Sequence, residues 1–213
     1  GYSEYLIITR ITGLFQMIHR LYEYLLMREI TTPPREICFM LTAADLRSAP
    51  ERINDIVRWA EDVPGIGMLT FHIDTDDLSC VTPFIDELKA VSGHARLELH
   101  LKDEVFLSGE GLPVLIVVGR SGREEITESI QKIADEGVDP CDLTEETIES
   151  HLTFRSAPDL IIKTGGSYLT DFLIWQSVYS ELFFLDVNWE FFRKTDLLRA
   201  IRDFQSRARR FGA

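Results

Sequence analysis

The sequence lacks the features that define several common classes of protein. It has three cysteines, Cys38, Cys80 and Cys141, and none belongs to a CxxC pair, which argues against a disulfide framework and a structural zinc site. Basic residues are also scarce, since 22 Lys and Arg stand against 35 Asp and Glu, for a formal net charge of -13. A chain this acidic repels phosphate backbones, so we expect no nucleic acid partner.

Long apolar runs are missing as well. The most apolar stretch, residues 5–30, is interrupted by Arg10, Arg20 and Glu23, so it is too polar to cross a bilayer. With no signal-like segment and only unpaired thiols, the sequence predicts a cytoplasmic protein.

Apolar residues at helical spacing are present over residues 3–29, before Pro33 and Pro34 end the pattern. We therefore treat residues 1–32 as an N-terminal amphipathic helix. Packing against the rest of the chain or a partner is expected, and peripheral contact with a membrane surface is the alternative.

Short apolar strands alternate with helical patterns through the remainder of the chain. This alternation predicts that residues 33–213 form a single three-layer α/β domain, with a mostly parallel central sheet flanked by helices. The predicted strands are residues 37–41, 67–73, 95–101, 114–118, 160–162 and 186–189. The predicted helices of this part are residues 51–60, 82–91, 124–136, 144–152 and 194–209.

The last third of the chain carries the most specific pattern. Residues 158–166 read PDLIIKTGG, residues 171–176 read DFLIWQ, residues 179–184 read YSELFF, and Arg210-Phe211-Gly212 lies near the end. In order and spacing these motifs resemble the undecaprenyl and dehydrodolichyl diphosphate synthases, the cis-prenyltransferases. The similarity is near-continuous from about residue 112 and weaker from about residue 20 to 100.

The resemblance implies a reaction and the residue types that it needs. The family joins an allylic diphosphate to isopentenyl diphosphate repeatedly, with magnesium and with arginines that neutralise the leaving diphosphate. An aspartate after the first strand engages the magnesium diphosphate, and a hydrophobic tunnel houses the growing chain.

The first catalytic loop departs from the family's pattern. The family ends its first strand with a Met-Asp-Gly-Asn type sequence. Here Thr42 or Ala43 takes the place of that aspartate, the glycine is absent, and Asp45 follows too late. We interpret Asp45 as a surface or capping residue, with a relocated catalytic carboxylate as the alternative.

Two further departures affect the same pocket. The family's arginine before the Thr-Gly pair is Lys163, and its later glutamate and arginine are Ser167 and Leu169. The stretch after Phe71 is also replaced, by residues 72–77. We therefore predict no catalytic residue and no metal ligand in this chain, with a remnant site at Lys163, Thr164, Gly165 and Gly166.

The C-terminal tail keeps the arginine-any-glycine ending of the family. The resemblance implies that Arg210 and Gly212 reach into a neighbouring subunit and bind isopentenyl diphosphate there. A basic helix end that is merely solvated is the alternative.

A chain that has lost the catalytic loop and kept the C-terminal tail resembles the Nogo-B receptor type of subunit. The helix before the first strand looks like that of archaeal members of the family. The resemblance implies an accessory, catalytically deficient subunit of a heterodimer or heterotetramer that makes long-chain polyprenyl diphosphate, as in dolichol synthesis. Magnesium would be held mainly by the catalytic partner and the substrate diphosphates. The alternatives are a self-sufficient homodimeric enzyme with a relocated aspartate and a polyprenyl-binding scaffold without enzymatic activity.

Large apolar residues concentrate between residues 172 and 189, which predicts a subunit interface. Glu181 falls where the family has a glutamate near the metal and the interface, and either role is open. The predicted interface residues are Phe172, Trp175, Tyr179, Glu181, Phe183 and Trp189. Three isolated histidines, His72, His100 and His151, are predicted to be ordinary satisfied side chains.

Overall fold

The computed structural model describes residues 2–102, 104–166 and 169–211, with side chains described over residues 16–102, 104–166 and 169–207. It divides into two compact units. Residues 1–33 and 193–213 form the smaller unit, and residues 34–192 form the larger one. The predicted domain boundary at residue 32 stays a prediction.

The described part of the chain contains seven strands and seven α-helices. The strands are β1 (Glu36–Thr42), β2 (Met68–Asp74), β3 (Arg96–Leu101), β4 (Glu104–Ser108), β5 (Pro113–Val118), β6 (Leu160–Thr164) and β7 (Glu181–Leu185). The helices are α1 (Tyr2–Glu29), α2 (Ala43–Ser48), α3 (Arg52–Glu61), α4 (Ile85–Ala90), α5 (Gly122–Asp135), α6 (Glu145–His151) and α7 (Lys194–Phe211).

The strands form one sheet in the order β4-β3-β5-β2-β1-β6-β7. Every neighbouring pair is parallel except β3 and β4, which are antiparallel. The mostly parallel α/β sheet predicted from the sequence is thus confirmed. Strands β1, β2, β5 and β6 are buried along nearly their whole length, as expected of parallel strands covered on both faces.

The two faces of the central strands pack differently. On one face Phe39 stacks on Phe71 with ring centroids 5.1 Å apart, and Trp189 and Phe192 meet the Phe39 ring edge-on. On the other face a cluster of buried side chains forms beside His72. The second cluster comprises Cys38, Met40, Leu115, Val117, Phe154, Ile161, Phe172 and Leu173.

The prediction of a last strand at residues 186–189 is wrong. The strand is β7, five residues earlier, which pairs with β6 from Leu160↔Glu181 onward. Trp189–Phe191 instead forms a 3₁₀ turn, and the buried indole of Trp189 donates to the carbonyl of Ala49 at 3.0 Å. Strand β4 was not predicted, because its apolar run, residues 105–107, is only three residues long, and its side chains are largely exposed.

The smaller unit pairs α1 with α7, and the predicted helix over residues 3–29 is confirmed. Arg202 forms an ion pair with Glu29 at 3.1 Å, and Arg199 donates to the hydroxyl of Tyr22 at 3.2 Å. The amide of Gln205 donates to the Glu29 carbonyl at 2.7 Å. Among the described residues, no helix has the length and apolar character needed to span a membrane.

Candidate functional site

The candidate site lies where the parallel strands end at their carboxyl edge, the usual location of sites in open α/β sheets. Strand register brings two polar side chains to either side of Met40, since Met40 pairs with His72 on β2 and with Lys163 on β6. The loops that follow β1, β2, β5 and β6 therefore supply the groups that surround this edge.

The loop after β1 is organised by a helix cap. Thr42 is the N-cap of α2, and the amide of Asp45 donates to its hydroxyl oxygen at 3.2 Å. In return, Asp45 Oδ2 accepts from both the backbone N–H and the hydroxyl of Thr42, each at 2.8 Å. This reciprocal capping box confirms that Asp45 is a capping residue.

Lys163 does not project from the sheet edge. Its side chain is buried, and its Nζ donates to the carbonyl oxygen of Met40 at 3.2 Å. A lysine whose ammonium group already donates to a backbone carbonyl is poorly placed to bind a diphosphate as a bidentate arginine does.

Beyond Lys163 the chain turns through a segment suited to an anion. The hydroxyl of Thr164 is buried and makes no hydrogen bond to the described residues. Gly165 and Gly166 have φ values of +63° and +154°, which side chains rarely adopt, and the space beside Gly166 is open. Ser167 lies outside the described residues, and Leu169 is exposed.

His72 is buried at the centre of the edge. Its Nε2 lies 2.8 Å from the carbonyl oxygen of Arg120, which can only accept, so Nε2 carries the proton. Its Nδ1 therefore accepts from the hydroxyl of Thr170 at 3.2 Å, and its ring stacks on Phe172. The expectation that His72 is a satisfied histidine is confirmed. No group of three metal-ligating side chains occurs within the described ranges.

Burial lowers the pKa of His72 below its ordinary value of 6.5, against opposing contributions from the Arg120 carbonyl and from Asp74 and Asp171. The unfolded chain therefore takes up a proton at this residue before the folded chain does, so stability should fall as the pH drops below 6.5.

The pH dependence of folding should consequently be weaker in His72→Gln than in the parent protein. Urea unfolding at a series of pH values above and below 6.5 measures the free energy of unfolding of both proteins. The carboxyl of Glu125, whose pKa is raised by burial, titrates in both proteins and cancels in the difference. Parallel curves for the two proteins would contradict a neutral buried His72.

Two arginines near this edge were missed by the sequence interpretation. Arg120 forms an ion pair with Glu128, and its guanidinium lies 5.9 Å above the ring of Phe154. Arg123 contacts Asp171 at 3.4 Å, and its side chain is largely exposed. Both follow β5 in the segment GRSGR, where basic residues at the end of a predicted parallel strand were an available signal.

The predicted interface residues divide by burial. Phe172 and Trp189 are buried in the larger unit, each about 1% exposed. Tyr179 is 97% exposed, whereas Trp175 and Phe183 are half-buried. Glu181 is half-buried on the edge strand β7, and further apolar side chains are exposed at neighbouring positions of the sequence. They are Ile174, Val178, Leu182 and Phe184.

A cleft of about 930 Å³ lies beside the same segment, between α6 and residues 174–179. Its walls include Phe154 and Trp175, whose indole donates to Glu149 at 3.3 Å. Three carboxylates on α6, those of Glu145, Glu146 and Glu149, would repel a diphosphate. This acidic wall argues against a diphosphate site here, while the opposite wall includes the exposed apolar side chains of Ile174, Val178 and Tyr179.

The C-terminal tail is described in part. Helix α7 reaches Phe211, so the backbone of Arg210 is helical. The side chain of Arg210 and all of Gly212 lie outside the described residues.

Comparison with known proteins identifies the class. The family model described as "Putative undecaprenyl diphosphate synthase" matches residues 80–212. "Isoprenyl transferase 1" of Corynebacterium glutamicum is 32% identical, over 84% of this chain and 96% of that protein. A "Tritrans,polycis-undecaprenyl-diphosphate synthase (geranylgeranyl-diphosphate specific)" of Methanocaldococcus jannaschii is 44% identical, over 46% of this chain and 39% of that protein.

The fold agrees with these sequence matches. The crystal structure of a probable undecaprenyl diphosphate synthase from Campylobacter jejuni superposes with a TM-score of 0.66, covering 86% of this chain and all of that one. At 17% identity this likeness shows the fold alone. From the sequence matches, the chain belongs to the undecaprenyl diphosphate synthase family of cis-prenyltransferases.

Proposed function

We propose that this chain is an accessory subunit of a heteromeric cis-prenyltransferase that makes long-chain polyprenyl diphosphate and performs no chemistry itself. The observation that carries this proposal is the capping box at the end of β1. The carboxylate that follows the strand is bound to the backbone and side chain of Thr42, so it is not directed at a metal diphosphate.

The opposite side of the pocket supports the same division of labour. Lys163 is committed to the Met40 carbonyl, and the loop beyond it has Leu169 where the resemblance places an arginine. A neutral, apolar side chain cannot stabilise developing charge on a leaving diphosphate. Thr164 with its two glycines remains able to touch an anion, which fits a remnant of a binding loop.

Magnesium would then be held by the catalytic partner and the substrate diphosphates. The donor set of this chain supports that assignment, because the carboxylate of Asp45 is used by the cap and Asp74 is the exposed carboxylate at the end of β2. The other carboxylate near His72, that of Asp171, contacts Arg123 at 3.4 Å. One exposed carboxylate and one that already has a cationic partner are a poor match to the several oxygen ligands that magnesium takes from protein and phosphate.

The contribution of this subunit to the shared site would be its tail. We propose that Arg210 and Gly212 enter the partner's active site and bind isopentenyl diphosphate, while the allylic diphosphate occupies the partner's own pocket. Arginine suits a diphosphate because its planar guanidinium donates to two oxygens at once.

The proposal is tested by prenyl transfer from each chain alone and from their mixture. The partner to use is a cis-prenyltransferase chain with an intact aspartate loop and no arginine-any-glycine ending. Product is expected only from the mixture. A partner as active alone as in the mixture would favour a non-enzymatic polyprenyl-binding scaffold.

The surface around Tyr179 is proposed to form the subunit interface. Tyr179→Asp should weaken the complex by at least about 30-fold, because it removes a large aromatic contact and places a charge in an apolar interface. Since Tyr179 is exposed, the core should be unaffected. Sedimentation of the mixed chains measures the effect. Phe191→Asp is the matched control, because Phe191 is also an exposed aromatic residue. Equal effects of the two variants would remove this surface as the interface.

A further inference from the structure

The cleft of about 930 Å³ beside α6 has walls of two different kinds. One wall is acidic, since α6 contributes the exposed side chains of Glu145, Glu146 and Glu149. The other wall is apolar and includes Ile174 and Val178, which are 46% and 69% exposed. A cleft of this size holds a small ligand or several side chains of a bound protein. Its surface is complementary to an apolar group that carries positive charge.

Negative charge predominates in the lining of this cleft. Three glutamates face one arginine, Arg155, whose guanidinium donates to the carbonyl oxygen of Ser150 at 3.3 Å. Glu145 and Glu149 are four residues apart on one helix, so their like charges repel each other. A cation bound between these two carboxylates would stabilise both of them.

The indole of Trp175 lies next to the acidic wall. Its Nε1 donates to Glu149 Oε1 at 3.3 Å, which places the carboxylate at the edge of the ring. A cation that pairs with Glu149 is therefore brought beside an indole, and the face of an indole attracts cations. A guanidinium suits both groups better than an ammonium does, because it stacks on aromatic rings and donates to two carboxylate oxygens at once. The cleft thus favours arginine.

We propose that this cleft receives an arginine, flanked by apolar residues, from the catalytic subunit. The inference rests on the proposed accessory role and specifies what the partner presents to this chain. Ile174, Val178 and Tyr179 line the cleft and belong to the surface proposed as the subunit interface, so a partner bound there would close over the cleft. The guanidinium would pair with Glu145 and Glu149, and the flanking apolar side chains would cover Ile174 and Val178.

Charge distinguishes this occupant from two others. A second copy of the chain has the same net charge of -13 and would be repelled. In that copy Arg202 pairs with Glu29 at 3.1 Å. Arg207 pairs with Asp203 at 2.8 Å, so both arginines already have a carboxylate partner. An anionic membrane surface would be repelled by the three glutamates of α6.

Association with the catalytic partner tests the proposal. The partner is again a cis-prenyltransferase chain with an intact aspartate loop and no arginine-any-glycine ending. Glu145→Gln combined with Glu149→Gln should weaken association by about 10-fold or more at low ionic strength, because the arginine loses both charged acceptors. Titration calorimetry of the two chains measures the dissociation constant.

The matched control is Glu110→Gln. Glu110 is exposed between β4 and β5 and is not part of the cleft lining, so its loss changes the net charge of the chain without changing the cleft. The fold should tolerate the double variant as well, since the amide oxygen of a glutamine at position 149 can still accept from Trp175.

Salt separates a charged contact from a purely apolar one. Affinity of the parent chain for the partner should fall as the salt concentration is raised, and the double variant should lose much of this dependence. Replacing both glutamates with lysine should weaken association further, because the cleft would then repel the arginine. Equal affinity and equal salt dependence of the double variant and Glu110→Gln would overturn the proposal.

Three outcomes distinguish this inference from the accessory role. A complex and prenyl product that form equally well with the double variant overturn the arginine contact and leave the accessory role in place. No complex and no product with the parent chain overturn both. Self-association of the parent chain that the double variant loses would assign the cleft to a second copy and reject the catalytic subunit as its occupant.

Discussion

Prenyl transfer by the purified chain alone is expected to stay at background with farnesyl or geranylgeranyl diphosphate, isopentenyl diphosphate and magnesium. Loss of a single group that stabilises transition-state charge typically costs roughly 10²- to 10³-fold in rate. The resemblance implies that this chain has neither the aspartate of the first loop nor the arginine whose place Leu169 takes. We therefore expect its rate to lie more than about a thousandfold below that of the mixture with a catalytic partner.

Two substitutions distinguish an inactive chain from an active one whose catalytic carboxylate lies at another position. Asp45→Asn replaces the charged acceptor of the α2 cap by a neutral amide oxygen, and it should cost at most about 1 kcal/mol of stability with no effect on the activity of the mixture. Asp74→Asn changes the exposed carboxylate beside Thr42 in the strand register. Long-chain product from the chain alone, lost in either variant, would establish a self-sufficient enzyme and refute the accessory role.

The sheet was predictable where strands are buried on both faces. The apolar runs of β1, β5 and β6 are continuous, and that of β2 is interrupted only by Thr70 and His72. All four are short and bounded by turns, which distinguishes them from helices. The edges of the sheet were less predictable. Strand β4 is mostly exposed, and β7 alternates half-buried with exposed side chains. Their apolar runs, residues 105–107 and 182–185, are only three and four residues long, so they do not identify these segments as strands.

The candidate site was predictable only where its contacts are local. The cap formed by Thr42 and Asp45 spans three residues and follows from their types. The contact between His72 and Thr170 joins residues 98 positions apart, and that between His72 and Arg120 joins residues 48 apart. Such pairs depend on how the strands align in the sheet, and the hydrophobic periodicity of one segment gives no information about that alignment.

The proposed interface shows a further limit. Aromatic composition grouped Phe172, Trp189 and Tyr179 together, yet the first two are core residues and the third is almost fully exposed. Large apolar side chains serve cores and interfaces equally well, so composition alone cannot divide them. The division follows from the turn at residues 171–179, which directs Phe172 onto His72.

The tail provides the strongest test of a shared active site. Arg210→Ala in this subunit should lower the efficiency of the complex with isopentenyl diphosphate by roughly 30- to 150-fold, because one charge-assisted diphosphate contact contributes about 2–3 kcal/mol. Gly212→Val should also lower it, since a Cβ prevents close approach of the backbone to phosphate. Steady-state kinetics on the reconstituted pair measures both effects, and sedimentation should show that the complex still forms.

Arg207→Ala is the matched control for the loss of one positive charge from α7. Arg207 pairs with Asp203 at 2.8 Å within the helix, and such an exposed pair contributes less than about 1 kcal/mol to stability. Its removal should leave kcat/KM for isopentenyl diphosphate nearly unchanged. If Arg210→Ala behaves in the same way, the tail is a solvated basic helix end, and an accessory role would then have to depend on binding alone. A selective loss in Arg210→Ala, with association intact, places the guanidinium of this subunit at the diphosphate in its partner's site.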